Sequence, residues 1–474
     1  MKKLTSKIFT RAKCSTLPLF VIGAIAPFHA MAAATVTLAP GANIQSAVTA
    51  APAGTNFILQ AGTYRGQSII PKANDHFTGQ GIVDLNGSQV LSFTQDPATG
   101  LWVATAPADS TQTGQCDSLH PLCGYNQDLF IDSTLQTPQA SLTGLPEGSW
   151  YFNRSTGTVY VPNDPTGHVI EIGMQKYAIY GTVAGVQITD IIVEKYATPA
   201  HAGAIGGSLS GASWIVNGVE ARYNHGGGIF LGSGSQLINS YIHHNGQLGI
   251  DLQGLNPLVR NNEISWNNYA GFSGNWESGG SKFWATTNML VQSNYVHDNN
   301  GKGLWTDTDN VGTTYVSNTV VNNAGVGIQH EVSYAAVIRN NVVKGNSPAP
   351  TTWLGNAQIR VMSSSNVEIY GNVVETAATG GNGIAVYNQT RGTGTLGPWV
   401  SANCYVHNNT ITYLGTTGES GFQNDGDATQ AVGNRFDYNH YVLGNSGINH
   451  WFWYSWRTWS LMKSAGQEAH GYYN

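Results

Sequence analysis

The sequence predicts an all-β protein built as a single-stranded parallel β-helix, with a small β-rich insertion and an aromatic C-terminal cap. Three observations carry this expectation. The chain has 474 residues and 58 glycines, yet only 10% charged residues, against roughly 25% in ordinary globular chains. Short runs rich in Val and Ile alternate with Gly- and Asn-containing turns, the pattern of strands with frequent reversals. Finally, a unit recurs about every 22 residues through the middle of the chain, the period of a stacked coil that buries its apolar face only against its neighbours.

Residues 1–33 stand apart. Lys2, Lys3, Lys7, Arg11 and Lys13 precede a short apolar run, Leu17 to Phe28, and Ala30-Met31-Ala32 matches a small-x-small cleavage site. This is the pattern of a secretory signal peptide, too short for a membrane span. No cysteine follows the apolar run where a lipid would be attached, so a secreted protein, extracellular or periplasmic, is expected. Removing the leader takes five basic residues and no acid, leaving 16 basic residues against 27 acids, a net charge of −11. Such a surface disfavours nucleic acid and anionic lipid as partners, and a monomer is expected. Cys116 and Cys123 lie in one polar loop and suit a disulfide in an oxidising compartment; Cys404 reads as a small buried residue.

The repeat has two parts. An opening glycine starts GGIFLGS at Gly228, GIDLQG at Gly249, GFSGNWESGG at Gly271, GLWTDTDN at Gly303, GIQHEVS at Gly327 and GIAVYNQ at Gly383. AQIRVMSS, with Ile359 in phase, fills the same slot before Gly383. Each opening is followed by an Asn-containing element such as NNEISWN, SNYVHDN or SNTVVNN. Asn262, Asn294, Asn318, Asn341 and Asn372 are expected to stack as a structural ladder, because asparagine tolerates turn dihedrals and bonds backbone groups.

On these repeats the chain resembles the right-handed parallel β-helix proteins of the pectate-lyase-like superfamily, over about residues 34–450. The resemblance implies right-handed winding and a carbohydrate-active protein. It also covers TVTLAPGANIQSAVTAAPAGTNFILQAGTYRG, where a short helix carrying Ile44 and Val48 would cap the open end. The motif specifies fold far more than activity. The expected organisation is a leader (1–33), the N-terminal cap and first coils (34–90), a β-rich insertion (91–175), the main β-helix (176–435) and a C-terminal cap (436–474). The insertion lacks the repeat but alternates like strands in GLWVATAP and GSWYFNRSTGTVYVPND. The tail HWFWYSWRTWSLMKSAGQE would cover the solenoid end with a helix near Thr458 to Gly466, since an uncovered end is an aggregation-prone edge.

Strand alternation sorts the coil residues. Ile229, Ile250, Phe272, Leu304, Ile328, Ile359 and Ile384 are expected to point inward. Phe230, Asp251, Ser273, Trp305, Gln329, Arg360 and Ala385 would then point outward. Asn275, Asp307 and Glu331 would form the next outward column. GLWTDTDN is the anomaly, because it spends three alternate outward positions on Trp305, Asp307 and Asp309. The step from Gly271 to Gly303 is 32 residues, about ten longer than its predecessors. The extra segment NWESGGSKFWATT is expected to follow the strand as a loop beside this column.

Carboxylates, a lysine and indoles converging on one groove suggest glycan chemistry. The candidate catalytic residues are Asp307, Glu331, Glu277, Asp309 and Lys282. The candidate substrate-binding residues are Trp305, Trp276, Arg360, Gln329 and Asn275, and the expected partner is a polysaccharide or oligosaccharide. The leading reading is a glycoside hydrolase with paired carboxylates and no cofactor. The alternative is a uronate-specific lyase in which Asp307, Asp309 and Glu331 hold Ca²⁺; another is a non-catalytic glycan binder or adhesin. His330 is expected to point inward, and His225, His243, His244 and His297 to be surface turn residues. No zinc-type spacing or phosphate-binding glycine loop appears.

Overall fold

The computed structural model describes residues 33–351, 353–445 and 447–474, so the leader lies outside the described residues. The chain is a parallel β-helix with three strands per coil. One continuous sheet of twelve strands, the last antiparallel, is formed by the third strand of each coil; the other two strands stack into a sheet of 24. Leu304–Asp307, for example, pairs in parallel with Ile328–Glu331, setting Leu304 beside Ile328 and Asp307 beside Glu331. The helix Ile44–Ala50 is capped by the Asn43 side chain and buries Ile44 and Val48 in the core. Among the described residues no helix is long and apolar enough to cross a membrane.

The interior is the stack that alternation predicts. Ile229, Ile250, Leu304, Ile328, Ile359 and Ile384 are fully buried in one core cluster. The opening glycines are there because coils approach too closely for a side chain. A Cβ at Gly303 would stand 2.6 Å from the Gly327 carbonyl oxygen and 2.8 Å from Val320 Cγ1.

This close approach corrects the register of one coil. The strand that stacks is Gly279–Thr287, with Ser281, Lys282 and Phe283 beside Ile250, Asp251 and Leu252. A Cβ at Gly280 would meet the Gly303 carbonyl at 2.7 Å, so Gly280 is the opening glycine, not Gly271. Ser281 therefore takes the interior position expected for Phe272. The extra residues precede the strand rather than follow it. Lys282 and Trp284 replace Ser273 and Asn275 in the outward columns. GFSG imitates an opening motif, and only the stacking distances separate the two.

Two ladders hold the corners. One runs from Asn262 through Asn294, Asn318, Asn341, Asn372 and Asn409 to Asn439, each amide donating to the next side-chain oxygen at 2.9–3.0 Å. The second, absent from the sequence reading, runs from Asn224 through Asn245, Asn267, Asn299 and Asn323 to Asn346, and Gln358 closes it. The residue before each of these asparagines turns the chain with positive φ, as at Asn261 (57°) and Trp266 (57°).

The insertion folds as two small sheets around its own core of Leu129, Trp150, Val159 and Ile172. It is tied to the helix by Glu171, which pairs with Arg65 and, at 2.6 Å, with the buried Lys195. At the far end Thr458 caps the helix Trp459–Ser464, and Trp451 packs on Trp459 with centroids 4.9 Å apart. Glu468 takes the last ladder amide, from Asn439, at 2.7 Å.

Candidate functional site

The outward face of the twelve-strand sheet is the floor of a groove. One wall is the segment 266–278, held by the insertion. Ser273 N donates to Gln115 O at 2.9 Å, and Asp117 N donates to Gly271 O at 2.9 Å. The Cys116–Cys123 disulfide closes the loop that makes these contacts. The opposite wall is the hairpin of Thr393–Gly394 and Gly397–Pro398, with Arg391 and Trp399 at its base.

Between the walls lies a line of charged groups. His201 Nε2 contacts Glu277 Oε2 at 2.5 Å; Glu277 pairs with Lys282, and Lys282 Nζ reaches Asp307 Oδ2 at 3.1 Å. Asp307 sits in register with Glu331 on the next coil. Glu331 accepts from Trp305 Nε1 at 3.1 Å, from Gln329 Nε2, and from Arg391 Nη1 at 2.8 Å. Arg360 Nη2 in turn donates to Gln329 Oε1 at 2.6 Å.

The two carboxyls are pushed apart. Burial, and then the charge of Glu331, raise the Asp307 pKa above the usual carboxyl range; Lys282 only partly opposes this, because it is shared with Glu277. Burial also works against Glu331, but the Arg360 and Arg391 guanidiniums outweigh it and hold Glu331 below its ordinary value. Asp307 is thus the better proton holder and Glu331 the better anion. Lys302, stacked 3.9 Å from the centre of the Trp305 ring, is brought down to about 8 by burial. Burial also raises Asp251, beneath Lys282, well above the ordinary range.

The site residues read from sequence divide on this geometry. Asp307, Glu331, Glu277 and Lys282 come together. Asp309 does not join them. The strand ends at Asp307, and Thr308 and Asp309 both take positive φ. Asp309 accepts from Trp399 Nε1 at 3.1 Å and from Thr395 N at 3.2 Å, so it fastens the hairpin. The calcium set Asp307, Asp309 and Glu331 is therefore not assembled; among the described residues no three His, Cys, Asp or Glu side chains converge as a metal site.

Trp305 points outward as expected but is only 4% exposed. Lys302 and Lys282 both lie over its ring, so it positions Glu331 and offers no free face to a sugar. Gln329 is fully buried behind Glu331. Trp276 stacks on His201 at 4.4 Å. Asn275 lies on the wall, outside the Asp307 column. It lines a 360 Å³ cleft with Lys302, Trp353, Asn356 and Arg360. Two of the exposed indoles are Trp284, in register beside Asp307, and Trp353, beside the cleft.

His330 points inward, with Nδ1 2.7 Å from Thr306 Oγ1 and Nε2 2.9 Å from Tyr334 O. His225 and His243 are buried rather than surface turn residues. His225 lies under the insertion against Asp128, and His243 stacks on Tyr241. Sequence reasoning missed Lys302, Arg391 and His201, which lie outside the strand positions that alternation can rank. Alternation puts Asp251 in the outward column, yet nothing in the strand pattern sets it apart.

Residues 204–374 match the family model described as the right-handed beta helix region. No curated protein sequence matches the chain. Among solved structures the chain is similar to XylC in complex with xylose, at 15% identity over 84% of this chain and 80% of that one, with a TM-score of 0.64. It also aligns with the A-module of the mannuronan C-5 epimerase AlgE6 of Azotobacter vinelandii, at 13% identity over 87% of this chain and 90% of that one, with a TM-score of 0.47. The likeness to XylC is one of fold: the chain is a right-handed parallel β-helix protein, and the resemblance to the pectate-lyase-like superfamily stands on that fold.

Proposed function

We propose that this right-handed parallel β-helix protein is a glycoside hydrolase whose reaction is carried by Asp307 and Glu331. The observation that carries the reading is the cross-coil register of these two carboxyls, set in environments that drive their protonation in opposite directions. Adjacent strands lie about 4.8 Å apart, which suits the roughly 5 Å separation of a retaining pair. A similarly folded chain binds xylose, and the exposed Trp284 and Trp353 offer ring faces to a sugar.

In this mechanism Asp307 gives its proton to the glycosidic oxygen as the C–O bond breaks. The Glu331 carboxylate then forms a bond to the anomeric carbon. Asp307, now ionised, takes a proton from water, whose oxygen displaces Glu331 and restores both groups. Lys282 and Glu277 position Asp307; Trp305, Gln329 and Arg391 position Glu331.

The test is product analysis on a glycan panel. New reducing ends without a 4,5-unsaturated chromophore support the hydrolase. An unsaturated end would replace it with a lyase, and binding without turnover with an adhesin. Azide rescue assigns the roles by anomeric configuration: an inverted glycosyl azide from Glu331→Gly with a retained one from Asp307→Gly makes Glu331 the nucleophile, and the opposite pattern reverses the pair.

A further inference from the structure

A cavity of 690 Å³ lies away from the paired carboxyls, between the insertion and the flank of the β-helix. Its volume is in the range of small-ligand sites. Tyr125, Asp128, Tyr151 and Arg154 of the insertion line it, together with His225 and Tyr269 of the helix. The segment 266–278, which walls the groove, begins at this cavity.

The charged groups of the cavity are braced but not satisfied. His225 is buried, with Nδ1 2.9 Å from Asp128 Oδ2 and Nε2 2.7 Å from the Cys123 carbonyl oxygen. Both ring nitrogens face acceptors, so both carry protons, and the charge of Asp128 favours that imidazolium. Tyr269 Oη donates to the same Asp128 oxygen at 2.6 Å. Asp128 Oδ1 therefore keeps no protein donor among the described residues. Arg154 lies 4.1 Å from the Tyr125 ring centre. Its Nη1 donates to Asp109 O at 2.9 Å and to Gln127 Oε1 at 3.0 Å, while Nε and Nη2 have no hydrogen-bond partner among the described residues.

A purely structural pair would set Asp128 and Arg154 against each other. They form no direct ion pair; the carboxylate spends its other oxygen on His225. What remains is one free acceptor and two free donors in a cavity walled by half-buried tyrosines. A carboxylate ligand would face the Asp128 oxygen, and an ammonium would face Arg154. A neutral polyhydroxylated ring meets both demands: its hydroxyls donate to Asp128 Oδ1 and accept from Arg154, and its C–H face lies on tyrosine.

We propose that this cavity is a second, non-catalytic site for a neutral mono- or disaccharide. The reading does not depend on the roles of Asp307 and Glu331. The test is calorimetric titration of the full chain carrying Asp307→Asn with xylobiose, cellobiose and mannobiose, and with glucuronate as the acidic control. At least one neutral probe should give a binding event that Arg154→Met and Asp128→Asn each weaken tenfold or more and that Glu331→Gln leaves unchanged. Melting curves control for folding. If Asp128→Asn unfolds through loss of the His225 counter-charge, Arg154→Met and Tyr151→Ser decide. No such event with any neutral probe, an event that survives Arg154→Met, or binding of glucuronate alone overturns the proposal.

Discussion

The asparagine ladders and the groove face are both rows of polar side chains stacked coil on coil, and they obey opposite rules. Along a ladder the same residue recurs, because each amide must donate to the coil above and accept from the coil below in one geometry. Asn318 Oδ1 accepts from Asn294 N and Nδ2, while its own Nδ2 donates to Val291 O and Asn341 Oδ1. Along the groove no residue repeats: Asp251, Lys282, Trp305, Gln329 and Arg360 follow one another in register. Repetition marks a demand made by the solenoid, and its loss marks a demand from elsewhere.

Substitution should break the two rows in different observables. The largest effect belongs to the groove. Asp307→Asn and Glu331→Gln should each lower turnover by about 10² to 10⁴-fold. Rate assays beside thermal melts should show Asp307→Asn leaving the melting temperature nearly unchanged, whereas Glu331→Gln also lowers it, because Arg360 and Arg391 lose their counter-charge. Activity near the wild-type level in both variants would remove the pair from the reaction.

Asn318→Ala should do the reverse. It leaves two buried donors on Asn294 without an acceptor, a loss of about 2 to 5 kcal/mol, read as a lower melting temperature with turnover per folded molecule unchanged. A ladder variant that melts like wild type would mean that water replaces the amide.

The two indoles sharpen the groove itself. Trp284→Ala should raise KM by roughly fivefold, about 1 kcal/mol of lost ring contact, with kcat little changed. Trp305→Phe keeps a ring but removes the N–H to Glu331, so its effect should fall on kcat and on the acid limb of the pH profile.

That profile is the next comparison. Activity needs Glu331 ionised and Asp307 protonated. It should fall below a pKa lower than that of an ordinary glutamate and again above one higher than that of an ordinary aspartate. Arg391→Met removes a positive charge from Glu331, so the acid limb should move up by about one pH unit; an unmoved limb would show that Arg391 does not set this group.

A second stability effect lies at the ladder's end. Burial raises the Glu468 pKa to about 7. The folded chain therefore keeps a proton that the unfolded chain releases above about 4.5. Stability should decline as pH rises from there to about 7 and then level off. Asp84 and Glu419, also raised to about 7 by burial, share this interval, so Glu468→Gln should make the decline shallower in melts run across it.

Much of this organisation is set by residues acting on their own coil. Alternation places Ile250, Leu304, Ile328 and Ile384 inside, His330 inside, and Trp305, Asp307, Gln329 and Glu331 outside, because a strand has a period of two and a stacked coil has only one interior. The repeat likewise announces the Asn262 to Asn372 ladder. The tertiary structure decided what depends on neighbours. Gly271 and Gly280 look alike in sequence, and only the approach of the Gly303 carbonyl selects Gly280. Asp309 follows GLWTD in phase, but positive φ at Thr308 and Asp309 turns it to a hairpin 90 residues away in sequence. An outward Trp305 reads as an open platform until Lys302 of its own coil and Lys282 of the neighbouring coil cover it. A strand's period fixes the direction of each side chain within its coil, whereas exposure, charge and partners are set by segments that meet only when the coils stack.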